Sequence, residues 1–188
     1  MTDKNYWKNA YKDLWDVSSK KEAAFKKFIE AETGLILMPY GLGAESNEYI
    51  AGSAKENNNE LGAPDYTVEN TNIFIEITGP LSERVKPQYG LWIRPDKLEY
   101  ARKHCDENDE FFALFFPSTQ EWLTIHADKV FFDDMDYKRN INDYFDKNPT
   151  IRGRRERYVE ISYHNPFVKG LDYLVDYLRD TATTFIEL

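Results

Sequence analysis

The sequence predicts a single α/β domain in which a mixed β-sheet is flanked by α-helices. Three observations support this. The chain has 188 residues with 41% apolar and 15% aromatic content, including thirteen Tyr and twelve Phe, which suffices for one proper core. The order of hydrophobic patterns is helix, strands, helix, strand, strand, helix, which suits a sheet with helices packed on it. The third is a strand-period hairpin, Pro64-Asp65-Tyr66-Thr67-Val68-Glu69-Asn70-Thr71-Asn72-Ile73-Phe74-Ile75-Glu76-Ile77-Thr78-Gly79, folded about a polar Glu-Asn-Thr-Asn turn.

The elements follow in order. Tyr6, Trp7, Ala10, Tyr11, Leu14 and Trp15 recur at helical spacing, predicting an amphipathic helix over 5–17. Ser18 or Ser19 is expected to cap a second helix, with Glu22 in capping-box position after Ser19, running to Thr33 and ending at Gly34. Leu35 to Met38 is a short strand stopped by Pro39, and 40–62 is a long polar loop. After the hairpin comes a loop over 79–90 with Pro80 and Pro87, then a brief strand over 91–94. Pro95 opens a helix running to about Cys105. Glu110 to Phe116 and Trp122 to His126 are strands. The stretch 128–137 fits helix and strand alike, and 140–157 is expected to be an exposed connection. Tyr158 to Tyr163 is a strand. Phe167, Leu171, Leu174, Val175 and Leu178 mark a closing helix from Pro166 to about Leu178. The domain core is expected at about 18–127, with a helical N-terminal extension over 1–17 and a C-terminal strand and helix over 157–180.

Bulk properties exclude several classes. Cys105 is the only cysteine, so there is no disulfide framework and no Cys-rich zinc site. No apolar run is long enough to span a membrane, and Met1-Thr2-Asp3-Lys4-Asn5 lacks the layout of a signal peptide. A soluble, cytoplasmic protein is expected. The net charge of −9 runs against a nucleic-acid partner, but basic residues cluster. Arg84, Lys86, Arg94, Lys97, Arg102 and Lys103 fall between 82 and 104. Seven more basic residues fall between Lys138 and Arg157, against Asp143, Asp146 and Glu156. Both clusters read equally as solvated faces or as phosphate contacts.

The hairpin holds the chemistry. Ile73, Ile75 and Ile77 point to one face of its second strand, and Phe74, Glu76 and Thr78 to the other. A carboxylate in so apolar a strand is costly to bury unless it is paired or binds a metal. A hairpin that brings Asp65 near Glu76 gives a carboxylate pair suited to a divalent cation such as Mg²⁺. Glu22 lies three residues before Phe25 and seven before Ile29, on or beside the core-facing stripe of its helix. It is therefore either a cap or an inward-pointing ligand. Lys97 sits in the first turn of the helix after Pro95, where an ordinary solvated lysine is the plain alternative. His104, His126 and His164 show no metal-ligand spacing and read as structural. Tyr6, Trp7, Tyr11 and Trp15 form a core-packing face or a dimer interface.

These residues resemble the PD-(D/E)XK nuclease superfamily, the restriction-endonuclease-like fold. The match consists of Pro64-Asp65, the hairpin and Glu76-Ile77-Thr78, preceded by a helix carrying Glu22 and a strand ending near Pro39. Downstream, Arg94-Pro95-Asp96-Lys97-Leu98-Glu99-Tyr100-Ala101-Arg102-Lys103 leads into the strand Glu110 to Phe116, a segment similar to the corresponding part of archaeal Holliday-junction resolvases. The resemblance covers about 18–127. It implies a divalent-metal-dependent DNA endonuclease of restriction, repair or mobile-element type that hydrolyses phosphodiester bonds. Asp65 and Glu76 would bind Mg²⁺ or Mn²⁺, with the Ile77 carbonyl as candidate third ligand and Glu22 completing the site directly or through water. The three carboxylates are expected to converge within coordination distance. Many relatives act as dimers, so a homodimer is implied as well.

The chain departs from the pattern at Thr78, where the family carries its lysine. Three readings follow. Lys97 replaces the missing cation from the next helix; Lys86 or Arg84 swings in from the loop; or the site is inactive. Arg84, Lys86, Arg152, Arg154 and Arg155 are the candidate nucleic-acid contacts. The alternative function is a catalytically inactive binding or inhibitory protein on the same fold, an acidic mimic of DNA, which Thr78 and the −9 charge favour.

Overall fold

The computed structural model describes residues 4–41, 60–151 and 153–186, with side chains described from Val17 to Ala182 within those limits. Helix α1 spans Lys4–Thr33, followed by strands β1 (Leu37–Pro39), β2 (Tyr66–Val68), β3 (Ile73–Thr78) and β4 (Leu91–Ile93). Then come α2 (Pro95–His104), β5 (Asp109–Phe116), β6 (Glu121–His126) and α3 (Lys129–Lys138). The chain continues through β7 (Tyr144–Lys147), β8 (Thr150–Ile151), β9 (Arg154–Arg155), β10 (Tyr158–Ile161) and β11 (Val168–Gly170) to α4 (Leu171–Ile186).

Six strands form the main sheet in the order β1-β2-β3-β5-β6-β11. Neighbours are antiparallel except β3 and β5, which run parallel with Ile73 opposite Asp109 and Thr78 opposite Leu114. A parallel pair needs a crossover, and here β4 and α2 supply it. The expected mixed sheet flanked by helices is therefore observed. Its order of helix, hairpin, helix and strand is the one the resemblance implies.

The alternating strand pattern sorts residues onto two faces. Ile73, Ile75, Ile77, Phe111 and Ala113 pack against Phe25 and Ile29 of α1 and Leu174, Val175 and Leu178 of α4. Phe112, Leu114 and Phe116 face the other way, toward Leu98 and Ala101 of α2 and Phe131, Phe132 and Met135 of α3. A second sheet, β4-β10-β7, closes that side with Leu91, Ile93, Val159 and Ile161.

Three expectations are corrected and one open reading is resolved. The two N-terminal helices are one helix of 30 residues: Ser18 and Ser19 lie inside it, and Glu22 caps nothing. Ser is tolerated mid-helix when its neighbours (Lys20, Lys21, Glu22, Ala23 and Ala24) favour the helix. The ambiguous stretch is helix α3, capped by Asp128 Oδ1, which accepts the Phe131 N–H at 2.8 Å. The connection over 140–157 carries β7, paired with β10, and the β8–β9 hairpin. The closing helix begins at Leu171, because Val168 to Gly170 adds the edge strand β11 beside β6.

Candidate active site

Asp65 directly precedes β2. Tyr66 pairs with Ile75, and the same antiparallel register carried one step back sets Asp65 opposite Glu76. The Ile77 N–H donates to Asp65 Oδ2 at 2.8 Å. The part of Ile77 tied to this acid is thus its amide. The two acids feel each other's charge, and after burial Asp65 is the main cause that raises the Glu76 carboxyl.

Glu76 lies mid-strand on the face toward α2, with 4% of its surface exposed. Lys97, in the first turn of α2, donates from Nζ to Glu76 Oε2 at 2.8 Å and to the Ala63 carbonyl at 3.2 Å. Pro95 starts α2 at that point, and the glycine at 62 lets the preceding chain lie against its first turn, where a Cβ would collide with the Asp96 carbonyl. Among the described residues it is Lys97, not the loop's Arg84 or Lys86, that pairs with Glu76. Arg84 and Lys86 are exposed on the loop.

Two groups that sequence reasoning passed over also belong here. Lys21 of α1 donates from Nζ to the Thr78 carbonyl at 3.2 Å. Burial pulls its ammonium below the ordinary lysine range, opposed by Glu22, Asp65 and Glu76 in that order. Glu110 of β5 pairs with Phe74 and so shares the face of Glu76. It is 2% exposed, and neither carboxyl oxygen has a hydrogen-bond partner. Burial pushes its carboxyl up to about 8, partly opposed by Lys97.

The electrostatics share one cause. Glu22, Asp65, Glu76 and Glu110 are all buried, and among the described residues Lys21 and Lys97 are the cations that offset them. Burial raises the Asp65 carboxyl despite Lys97 and the Ile77 amide. Burial and then Asp65 hold Glu76 well above the carboxylate range. Burial works against the Lys97 ammonium, yet Glu76 and Asp65 outweigh it and hold it above the ordinary lysine value. With every group ionised the cluster would carry two negative charges in excess.

The expected three-carboxylate convergence does not occur: among the described residues no three or more of His, Cys, Asp and Glu are grouped to hold a metal ion. Glu22 is carried by the helix on the isoleucine face, whereas Glu76 points to the α2 face. Lys21 is the charge that links them. Thr78 ends β3, and Gly79 beyond it has φ of 114°. A Cβ there would meet Phe115 O at 2.5 Å and Phe115 N at 2.8 Å, so only glycine lets the chain leave β3 this close to β5.

From Thr78 opens a cleft of about 1140 Å³. One wall is the 79–90 loop, which carries Arg84 and Lys86. The other includes Ile151, Glu156, Arg157 and Tyr158, contiguous with β9 and its exposed Arg154 and Arg155. Arg84, Lys86, Arg154 and Arg155 are not themselves lining residues, but they lie on or beside the segments that supply the lining. Arg152 lies outside the described residues, as do the side chains of Tyr6, Trp7, Tyr11 and Trp15. Two of the histidines have structural partners: His126 bonds Asp109 and stacks on Phe111, and His104 bonds Glu60, while His164 is exposed. No described helix is long and apolar enough to cross a membrane.

Two solved structures are similar to this chain. D212, a nuclease from a fusselovirus, is 17% identical, with 92% of this chain and 93% of that chain covered and a TM-score of 0.46. Hjc, a Holliday junction resolvase from the archaeal hyperthermophile Archaeoglobus fulgidus, is 11% identical, with 82% and 98% covered and a TM-score of 0.41. No protein-family model matches the chain, and no curated protein does.

Proposed function

We propose that this protein is a divalent-metal-dependent endonuclease that hydrolyses phosphodiester bonds in DNA. The observation that carries the reading is the buried Asp65–Glu76 pair with Lys97 on Glu76. Lys97 restores the ammonium that Thr78 removes from the strand, which favours an active site over an inactive one.

The donor set fits Mg²⁺ or Mn²⁺. Hard cations of this kind take one or two carboxylates and keep several waters, so a full protein cage is not needed. Asp65 and Glu76 would hold the ion, in competition with the protons that their raised carboxyls favour. Its charge would match the excess of the cluster. A bound ion supplies a water of lowered pKa and neutralises charge on the scissile phosphate. The protein's own residues do the rest. The Ile77 amide fixes the Asp65 carboxylate, and Lys97 orients Glu76 while offering a donor to the charge that develops on phosphate. Glu22 acts at the edge of the site through Lys21 or a bridging water. Arg84, Lys86, Arg154 and Arg155 would grip the backbone on either side of the cleft.

The test is cleavage of supercoiled, linear and branched DNA with Mg²⁺ or Mn²⁺, run beside Asp65→Asn. An asparagine keeps an oxygen for the Ile77 amide and removes the charge. Cleavage by wild type and none by Asp65→Asn supports the reading. No cleavage of any substrate by a folded wild type that also fails to bind Mn²⁺ would leave the inhibitory DNA mimic as the better account.

A further inference from the structure

We infer that the cleft opening at Thr78 takes an unpaired single strand of nucleic acid, stacking its bases on Trp92, Tyr158 and Tyr89. This deepens the nuclease reading and rests on it for the identity of the polymer. The argument itself comes from the cleft.

Three aromatic side chains line it. Trp92 of β4 and Tyr158 of β10 lie on adjacent strands, with ring centroids 5.6 Å apart and planes tilted by 36°, so they form one continuous π-surface. Their orientation is held by hydrogen bonds: Trp92 Nε1 donates to Glu160 Oε2 at 2.8 Å, and the Tyr158 hydroxyl donates to Glu156 Oε2 at 2.7 Å. Tyr89, from the segment that leads into β4, lines the same cleft and is 63% exposed, so its ring is accessible to a ligand.

The charges agree with a polyanion lying between the walls. Of the acids lining the cleft, Asp96 is neutralised by a two-point contact with Arg94 (2.7 and 3.0 Å), and Glu156 is engaged by Tyr158. Glu99 is the acid that remains. Arg157 lines the interior, and Arg84, Lys86, Arg154 and Arg155 sit on the two bounding segments. Aromatic platforms beside basic edges suit single strands, because every base offers a π-face once it is unstacked. A paired duplex buries those faces and cannot use the rings. Thr78 lines the cleft, two residues from Glu76 on the same face of β3, while Asp65, Glu76 and Lys97 themselves lie outside its lining.

The experiment uses the full chain in EDTA, which holds off cleavage, and measures anisotropy of fluorescein-labelled dT15 and of a 15-base-pair duplex. Wild type is expected to bind dT15 about tenfold or more tighter than the duplex. Trp92→Ala and Tyr89→Ala should each weaken dT15 binding by about tenfold, the scale of one lost stacking contact, with duplex binding unchanged and Trp92→Phe recovering most of the loss. Tyr89 is exposed, so its variant keeps the test valid should Trp92→Ala misfold. Equal or tighter duplex binding, or full dT15 affinity in Tyr89→Ala and a folded Trp92→Ala, overturns the inference. A parallel Mn²⁺ cleavage assay separates the two readings. Duplex cleavage that ignores Trp92 sinks the single-strand cleft and leaves the nuclease. Ring-dependent dT15 binding without any cleavage leaves the cleft and sinks the nuclease.

Discussion

Lys97 Nζ lies 2.8 Å from Glu76 Oε2, although the two residues come from different elements 21 positions apart. On β3 the position two residues beyond Glu76 points to the same face and holds Thr78. Helix α2 thus brings to Glu76 an ammonium that a lysine at position 78, on the same face of β3, would also be placed to supply. Lys97→Ala is expected to lower kcat by about 10²–10³-fold, the usual scale for removing one preorganised donor. Adding Thr78→Lys to Lys97→Ala should recover part of that rate, because a lysine at 78 starts from the face Glu76 occupies. Single-turnover cleavage by the three proteins checks this. A double variant as inactive as the single one would show that the cation must come from α2.

Glu110 predicts how stability responds to pH. Its carboxyl rises from 4.5 to about 8 on folding, so the folded chain binds more protons than the unfolded chain across that window. The stabilising effect is complete below about 4.5 and is lost as pH rises through about 8, at roughly 1 kcal/mol per pH unit. Asp65 and Glu76 shift in the same direction and add to the trend. Glu110→Gln cannot ionise, so its stability relative to wild type should improve steadily between pH 5 and pH 8. Thermal melts in metal-free buffer at several pH values measure the gap; a gap independent of pH would mean that Glu110 is not the group responsible.

Much of the geometry around Glu76 was legible in the sequence, and the misses have separate physical causes. Period-two alternation in Ile73, Ile75 and Ile77 placed Glu76 on the opposite face, and the polar turn set Asp65 across from it. Pro95 marked the helix start that puts Lys97 in a first turn. Lys21 and Glu110 were not legible, because each depends on a contact between elements. Lys21 looks like a surface lysine until α1 lies along the isoleucine face, and Glu110 looks like the start of a buried strand until the parallel β3–β5 register puts it beside Glu76's face. Ser18 and Ser19 misled because a serine is equally at home as a cap and, at small cost, inside a helix. The strands β8 and β9 are too short and polar to show a period.

Lys21 predicts a second, opposite pH signature. Its ammonium serves the Thr78 carbonyl and offsets Glu22, Asp65 and Glu76. Alanine keeps the helix but leaves the acids with less compensation, so Lys21→Ala should be destabilised by about 1–3 kcal/mol at pH 8. As pH falls to 5 the acids take up protons and need the ammonium less, and the deficit should shrink. Urea unfolding at the two pH values reads the difference. An equal deficit at both would assign Lys21 to packing alone.

Metal binding should run against the pH trend of the free protein. A cation held by Asp65 and Glu76 competes with protons, and both carboxyls bind protons more readily than ordinary acids. Affinity for Mn²⁺ is therefore expected to rise with pH, and binding should release protons, visible by calorimetry as a heat that depends on the buffer. A ligand at about 100 times its Kd stabilises the fold by about 2.7 kcal/mol. The rise in Tm caused by a fixed concentration of Mn²⁺ should thus grow from pH 5 to pH 8, while the metal-free Tm falls over the same range. Glu76→Gln should abolish the metal-induced rise and reduce the metal-free slope. A Mn²⁺ effect that survives in Glu76→Gln would place the cation elsewhere and remove the chemical basis assigned to the hairpin.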